Sequence, residues 1–422
     1  MTYLLYNAVV RSLAPALALW LRAGRRHRAL AARFAPPVPQ LQARPLWVHA
    51  CSVGEVNTAR PLVRALHERF PDSPVLLTVS TSAGRALAEG MRGECATTWF
   101  PFDAPATVRR FVAEARPRVL ILVETEIWPN VVRECRRAGV PVVVVNGRIS
   151  DKHFARYARF RRFFREVFAY VSAAGVQDDE YARRIIALGA PAKAVTVTGS
   201  TKFDGAATHI DPRARARVRR ENGFQQDDLV VVFGSTRPGD EALAAATWQA
   251  LRDESPRLRL VVAPRHLDRL DEALAPFAEE PVLRRSAVLR GERPSGERVF
   301  FLDTVGELVQ FYAIGDVAVV GGSFHPGVEG HNPIEPAALG VPTVFGPYMR
   351  NFAEPARILV TANAARRVLQ PDELPDTLRA LLRDGTARRT LGTRGRRAVL
   401  ENQGAIARNV DLIAEALKAA ET

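Results

Sequence analysis

The sequence predicts an α/β protein with two parallel-sheet domains. Three observations carry that reading. The chain has 422 residues, whereas single hydrophobic cores stop growing at about 250–300 residues. Short apolar, β-branched runs alternate with helical patterns along both halves, the mark of parallel strands covered by helices on both faces. Between the halves, residues 204–228 (DGAATHIDPRARARVRRENGFQQDD) are polar, highly charged and without an apolar run. That stretch reads as a linker with room for one short helix.

In the first half the strand candidates are LWVHA (46–50), VLLTV (75–79), VLILV (119–123), VVVV (142–145), SAAGV (172–176) and VTVTG (195–199), with amphipathic stretches such as ARPLVRALHERF (59–70) between them. The second half repeats the style with LVVVFG (229–234), LRLVVAP (258–264), VFFLD (299–303), VAVVGG (317–322) and PTVFG (342–346). A final helix is expected over about 404–420. The organisation is therefore an N-terminal helical segment (1–35), a first domain (36–203), the linker (204–228), a second domain (229–403) and a C-terminal helix (404–422). Open α/β sheets bind ligands outside the carboxyl ends of their strands, so two such domains imply a site in a central cleft.

The apolar fraction of 47% excludes a disordered chain. The net charge of +14 calls for an anionic partner: nucleic acid, an acidic membrane surface, or phosphorylated or carboxylated ligands. Only four of the 59 basic residues are Lys (152, 193, 202, 418). That arginine skew reads as genome composition, not as a nucleic-acid signature, and no basic-aromatic or helix-turn-helix motif accompanies it. The three cysteines, Cys51, Cys95 and Cys135, are odd in number and form no C-x-x-C, which disfavours a disulfide framework and fits a reducing cytosol. The eight histidines show no zinc-binding spacing, and no D-x-D occurs.

Residues Tyr3 to Leu21 read YLLYNAVVRSLAPALALWL, apolar but interrupted by Asn7, Arg11 and Pro15. A clean spanning helix needs about 20 apolar residues with few charges. Arg22, Arg25, Arg26, Arg28 and Arg33 follow. A signal peptide carries its positive charge before the apolar run, so cleavage and export are not expected. Beside an ordinary docked first helix, two membrane readings stand. One is a marginal anchor with the basic flank and the rest of the chain in the cytoplasm. The other is an interfacial helix with Trp20 and the Arg cluster at headgroup level. The apolar side and the basic cluster are adjacent, which favours membrane contact.

Five stretches could carry chemistry. HACSVGEVNTARP (49–61) runs from strand through a small-residue turn to a helix. Glu55 falls near its start, either as a dipole-stabilised helix acid or as a functional carboxylate. LVETEIWPN (122–130) sets Glu124 and Glu126 after a buried strand, on opposite faces if the strand continues. Carboxylates there need partners or a task, and Arg148 in VVNGRIS (144–150) is a candidate ion-pair partner. VFGSTRPGDE (232–241) brings Gly-Ser-Thr to a helix beginning near Asp240 or Glu241, a way of meeting an anion that is neither a Walker A loop nor G-x-G-x-x-G. VVAPRHLDR (261–269) sets Arg265 and His266 at a turn suited to a phosphate. VVGGSFHPGVEGHNPIEPAALGVPTVFGP (319–347) is the richest: glycines 321, 322, 327 and 330 form a loop after a strand. Asn332 then stands near a helix cap and Glu335 in its first turn, where a carboxylate can hold a ribose diol.

Together HACSVGE, LVETEIWPN, VVNGRIS, VTGSTKFD (197–204), FGSTRPGDE, APRH and GGSF…GHNPIEPAALG resemble the 3-deoxy-D-manno-octulosonic acid (Kdo) transferases of lipopolysaccharide biosynthesis, over essentially the whole chain. The resemblance implies a GT-B fold, with residues 36–203 binding acceptor, 229–403 binding donor, and 1–35 associated with the cytoplasmic face of the inner membrane. It implies CMP-Kdo as donor, lipid IVA as acceptor, inversion at the anomeric carbon, and no cofactor or bound metal. By position, Glu55 is the implied general base and Glu126 the second essential acid. Ser235, Thr236, Arg265, His266, Gly322, Ser323, Asn332 and Glu335 are the implied lining of the CMP pocket, with Glu335 toward the ribose and Arg265 toward the phosphate. Lys202 is implied at the donor's carboxylate or phosphate, and Arg85 in STSAGR joins the substrate-binding set. Asp240 stands where a Glu is common, and Cys51 lies inside the first motif. The competing readings are a GT-B enzyme or UDP-sugar epimerase using another sugar nucleotide, and a non-catalytic membrane-bound nucleotide- or lipid-binding protein.

Overall fold

A computed structural model describes residues 2–24 and 28–421. Of the basic cluster, Arg25 and Arg26 lie outside the described residues. The chain divides into two compact units, one formed by Met1–Gly205 with Gln403–Thr422 and the other by Ala206–Asn402.

The first unit begins with helix α1 (Tyr3–Ala23) and a 3₁₀ segment, Arg28–Phe34. Seven strands follow: β1 (Leu46–His49), β2 (Val75–Val79), β3 (Ala96–Trp99), β4 (Val119–Val123), β5 (Val142–Gly147), β6 (Ala173–Val176) and β7 (Val195–Val197). They pair in the order β3-β2-β1-β4-β5-β6-β7, all parallel. The strands are apolar on both faces because both faces are covered. Leu46 and Val48 pack into one cluster while Trp47, Leu120 and Leu122 pack into the other. The helices that matter for the site are α2 (Val53–Arg69), α3 (Ser82–Glu89) and α4 (Pro129–Arg137).

The second unit repeats the plan with β8 (Leu229–Thr236), β9 (Leu258–Pro264), β10 (Val282–Arg284), β11 (Val299–Phe301), β12 (Val317–Val320), β13 (Thr343–Phe345) and β14 (Ala365–Arg367). Their order is β10-β11-β9-β8-β12-β13-β14, again parallel. Helix α5 (Asp240–Leu251) follows β8, and the short helix α6 (Ile334–Ala338) follows the glycine loop after β12. Within 204–228, Pro212–Glu221 form one helix capped by Asp211, with Val218 buried in this unit's core. The last helix, α7 (Ala405–Glu421), belongs to the first unit. Asp204 caps it, accepting from the Gly404 N–H at 2.7 Å, and Ile413 and Leu417 complete the cluster under α2.

Three strands that the apolar pattern does not announce, β3, β10 and β14, are all edge strands. Only one residue of β14 is buried and two of β3. An edge strand faces less core, so its sequence carries a weaker apolar run.

The chain winds outward in opposite directions from β1 and β4 in the first sheet and from β8 and β12 in the second, where β10 and β11 are in addition interchanged. Loops at such a switch point diverge and leave a crevice at the strands' carboxyl ends. Glu55 and Glu126 follow β1 and β4, whereas Ser235 and the glycine loop follow β8 and β12.

Candidate active site

In the first unit the chain leaves β1 at His49 and enters α2 after Ser52, the N-cap residue. Glu55 reaches back along the turn. Its Oε2 accepts from the Cys51 N–H at 2.7 Å and its Oε1 from the Ser52 hydroxyl at 3.1 Å. Reaching back to free donors is what a third-position Glu does at a helix start. Burial is what sets this one apart, since Glu55 is 9% exposed. Burial pushes its pKa up to about 7 against the two donors, and the nearby Glu126 and Glu124 add to the rise.

The second carboxylate arrives from β4. The strand stops at Val123, and Glu124 adopts a left-handed φ of 62°. The extended alternation expected for Glu124 and Glu126 is thereby broken. Glu124 instead accepts from Arg148 Nε at 2.8 Å, so Arg148 is an ion-pair partner as its sequence position predicts. Glu126 accepts from Trp128 Nε1 at 3.1 Å, and burial raises its pKa also. Polar atoms of Cys51, Glu55 and Glu126 lie within 4.8 Å of one another. Burial holds the Cys51 thiol up at about 12, so it is no thiolate nucleophile. His49 stacks on Phe100 with centroids 3.6 Å apart, and burial lowers its pKa to about 3, which keeps it neutral.

Arg85 stands in the first turns of α3, whose start packs on the Cys51–Ser52 turn through Gly84. Its Nε donates to Glu89 at 3.1 Å and its guanidinium lies 5.6 Å from the Trp99 ring. Lys202 sits half-buried in the turn between β7 and Asp204.

In the second unit, Ser235 has a left-handed φ of 57° where β8 turns away. Thr236 is fully buried and donates its hydroxyl to Glu241 at 2.9 Å. Ser323 is also fully buried, donating to the Val320 carbonyl and accepting from the Gly346 N–H at 2.9 Å. These two hydroxyls are bonded inside the fold, Thr236 to Glu241 and Ser323 to Val320 and Gly346. The start of α5 carries Asp240 and Glu241, both buried, which fills that helix end with acid where an anion site was expected. Asp240 accepts from the Gly322 N–H at 2.6 Å and the Arg237 N–H at 2.9 Å, tying the β8 loop to the glycine loop. The glycine is needed there: Gly322 has φ 67°, and a Cβ on it would stand 2.6 Å from Val328.

Asn332 accepts from the Ile334 N–H at 3.0 Å and donates to Glu335 at 3.1 Å, so it both caps α6 and orients that carboxylate. Burial raises the Glu335 pKa, opposed by Asn332 and Arg265. Arg265 therefore acts on the same patch as Glu335. His331, which sequence reasoning passed over, lies over Gly322. Burial, then the charges of Arg265, Arg237 and His266, lower its pKa to about 4. Four basic groups thus converge on the glycine loop, two of them predicted. The signal for His331 was its place inside GHNPIE; Arg237, inside STRPGD, offered nothing further.

Sequence reasoning also missed Asp103 and misplaced Arg33. Asp103 is buried and accepts from the Asn130 and Val131 N–H groups at 3.1 and 2.9 Å, and from the Tyr6 hydroxyl at 2.6 Å. It joins α1 to the start of α4, and nothing in FPFDAP marks it. Arg33 was grouped with the exposed basic cluster. It instead turns inward, donating from Nε to the Phe100 carbonyl at 3.1 Å, beside Phe34, which stacks on Phe102.

Two doubly wound parallel-sheet units, each with polar groups gathered at its switch point, make a GT-B fold. A glycosyltransferase from Rickettsia africae shares the fold at TM-score 0.59, with 8% identity, 89% of this chain and 99% of that one covered. Residues 25–205 match the family described as 3-deoxy-D-manno-octulosonic-acid transferase (kdotransferase). The 3-deoxy-D-manno-octulosonic acid transferase of Bordetella pertussis is 36% identical over 97% of this chain and 98% of its own. That of Haemophilus influenzae is 31% identical over 87% and 86%. The chain belongs to the Kdo transferase family.

Proposed function

We propose that the chain transfers Kdo from CMP-Kdo to lipid IVA in lipopolysaccharide biosynthesis, with inversion, without a metal, and with Glu55 as general base. The observation that carries the reading is the Glu55–Glu126 pair at the β1/β4 switch point. A base works best with a pKa near the operating pH, and Glu55 stands at about 7. It takes the proton of an acceptor hydroxyl while that oxygen attacks the anomeric carbon. The bond to the CMP phosphate breaks, and CMP leaves with the electron pair. One direct displacement inverts the centre and needs one base. The charge of Glu126 beside Glu55 adds to the rise of the Glu55 pKa and so sustains its basicity.

The departing phosphate is served by Arg265, with Arg237, His266 and His331 beside it, and by backbone N–H groups of the glycine loop. Glu335, oriented by Asn332, accepts from the ribose hydroxyls. Lys202 and Arg85 meet substrate anions from the first unit. The absence of D-x-D from the sequence fits charge neutralisation by these groups.

The acceptor is a membrane lipid, and α1 supplies the contact. It is long and apolar enough to cross a membrane by length and composition. Its first two turns, however, are bonded to the globular unit: Tyr3 O–H to the Pro129 carbonyl at 3.1 Å, Tyr6 to Asp103, and Asn130 Nδ2 to Asn7 at 2.7 Å. Leu4, Leu5, Val9, Leu13, Leu19 and Trp20 remain exposed. A helix held along the unit with an apolar outer face suits the interface of the inner membrane's cytoplasmic leaflet better than a span. The test is purified protein with a CMP-Kdo generating system and lipid IVA, products weighed by mass spectrometry. A mass increase of one or more Kdo residues is expected; an unmodified acceptor under conditions where CMP-Kdo persists refutes the reading.

A further inference from the structure

The residue that sequence reasoning put on the membrane surface occupies the edge of the carboxylate pair. Arg33 is fixed by its backbone and its side chain. The Phe102 N–H donates to the Arg33 carbonyl at 2.7 Å, Thr107 donates to the Phe34 carbonyl at 3.2 Å, and Arg33 Nε donates to the Phe100 carbonyl at 3.1 Å. Its guanidinium carbon lies 5.7 Å from the Trp128 ring centroid. That indole is the one whose N–H holds Glu126. The charge of Arg33 is felt at Cys51, Glu126 and Asp103.

What the guanidinium lacks is an anion. Arg148 is bonded to Glu124 and Arg85 to Glu89. Arg33, among the described residues, has no carboxylate within ion-pair distance, and its Nη2 is buried without a hydrogen-bond partner. A buried N–H donor left unpaired is costly and uncommon, and asks for an explanation. The chemistry of the site offers one. Any substrate oxyanion brought to Glu55 and Glu126 meets two carboxyl groups, and a neighbouring cation with an unspent donor offsets that repulsion.

We propose that Arg33 binds a substrate oxyanion at the transfer centre, a carboxylate or phosphate oxygen accepting from its Nη2–H. The inference rests on the proposed Kdo transfer, in which the donor sugar brings a carboxylate and the acceptor brings phosphates. The test compares full-length parent, R33M and R33K in detergent with CMP-Kdo and lipid IVA. R33M keeps a stem against Trp128 and removes the donors; R33K restores the charge. Loss of a charge-assisted hydrogen bond predicts a rise in KM of about 10- to 100-fold for one substrate in R33M, smaller in R33K, with kcat little changed. If the CMP-Kdo KM rises while inhibition by CMP, which has no sugar carboxylate, is unaltered, the anion is the donor's carboxylate. If the lipid KM rises and an acceptor stripped of one phosphate costs the parent the same factor but R33M nothing further, it is that phosphate. Both KM values within twofold of the parent overturn the proposal, as does a fall in kcat and unfolding midpoint at unchanged KM. R33K carries the same comparison should R33M fail to fold. A parent that turns over neither substrate fails the functional reading instead.

Discussion

Replacing Glu55 with Gln separates catalysis from stability. Burial and neighbouring carboxylates raise the Glu55 pKa from 4.5 to about 7. The folded state therefore holds this proton more tightly than the unfolded chain does. Its contribution to stability is complete below about 4.5 and is lost as pH rises through 7. The displacement corresponds to at most about 3 kcal/mol at pH 8. Gln carries no charge, so it escapes that penalty, but it turns an amide toward the Cys51 N–H or the Ser52 hydroxyl, at a cost of about 1 kcal/mol. E55Q is thus expected to be more stable than the parent by about 1–2 kcal/mol at pH 8, a rise of roughly 2–8 °C in unfolding midpoint, and to lose the advantage at pH 4. Turnover moves the other way. Loss of a general base costs about 100- to 10,000-fold, with CMP-Kdo affinity unchanged because the proposed donor pocket lies in the second unit. The parent's kcat/KM should fall tenfold per pH unit below about 7, where Glu55 is protonated. Differential scanning fluorimetry at two pH values, calorimetric titration with CMP-Kdo and single-turnover mass spectrometry read all three. An E55Q protein within tenfold of parental turnover at pH 7.5 sinks the base assignment, and one no more stable at pH 8 than at pH 4, relative to parent, sinks the account of the raised pKa.

Glu126→Gln removes a neighbouring charge that raises the Glu55 pKa, so the acidic limb of the kcat/KM profile should move to lower pH while the plateau drops; an unmoved limb refutes the coupling. Glu335→Gln should weaken CMP by about 10- to 100-fold in calorimetry while leaving a CMP analogue without ribose hydroxyls unaffected, and parental affinity for CMP removes Glu335 from the ribose. Leu13 and Leu19 are 60% and 71% exposed, so L13E/L19E should cut co-sedimentation with anionic vesicles more than tenfold, since each Leu is worth about 1.5–3 kcal/mol when buried. Undiminished co-sedimentation would remove the outer face of α1 from the membrane contact.

Both sheets were legible because their central strands are buried on two faces and so read as continuous apolar runs. VLILV and LVVVFG allow little else. The edge strands β3, β10 and β14 escaped for the converse reason: Ala365-Arg366-Arg367 needs only one apolar residue. That Glu55 and Glu126 follow strands was legible; their roles came only from the resemblance, and the order reversal beside them is a fact of the sheet that no local pattern records. The division of labour between Glu124 and Glu126 was not. It depends on a single left-handed residue, which period-2 reasoning cannot supply. Thr236 and Ser323 show a different failure, since a hydroxyl's side of the loop is set by tertiary bonds to Glu241 and Gly346 that no local pattern records. Charge patterning groups Arg33 with its basic neighbours, whereas its contacts with the Phe100 carbonyl and the Trp128 ring are tertiary and leave no local mark.

Two carboxyl groups whose oxygens approach this closely cannot both ionise cheaply in a buried site. Their surroundings decide how the charge is shared. Burial raises Glu126, opposed by the indole N–H it accepts and by the charge of Arg33. Glu55 receives two hydrogen bonds at the head of α2, yet burial and the charge of its neighbours still raise it to about 7. Carboxyl groups this close titrate as a pair, not as independent residues. In the proposed reaction, a proton taken from an acceptor hydroxyl would return the pair to a less repulsive state, so the repulsion that raises the Glu55 pKa would also favour the transfer. That argument makes the base a property of two residues from different strands. Under the proposed transfer such a base suffices, because attack would go to an anomeric carbon already bonded to a phosphate leaving group.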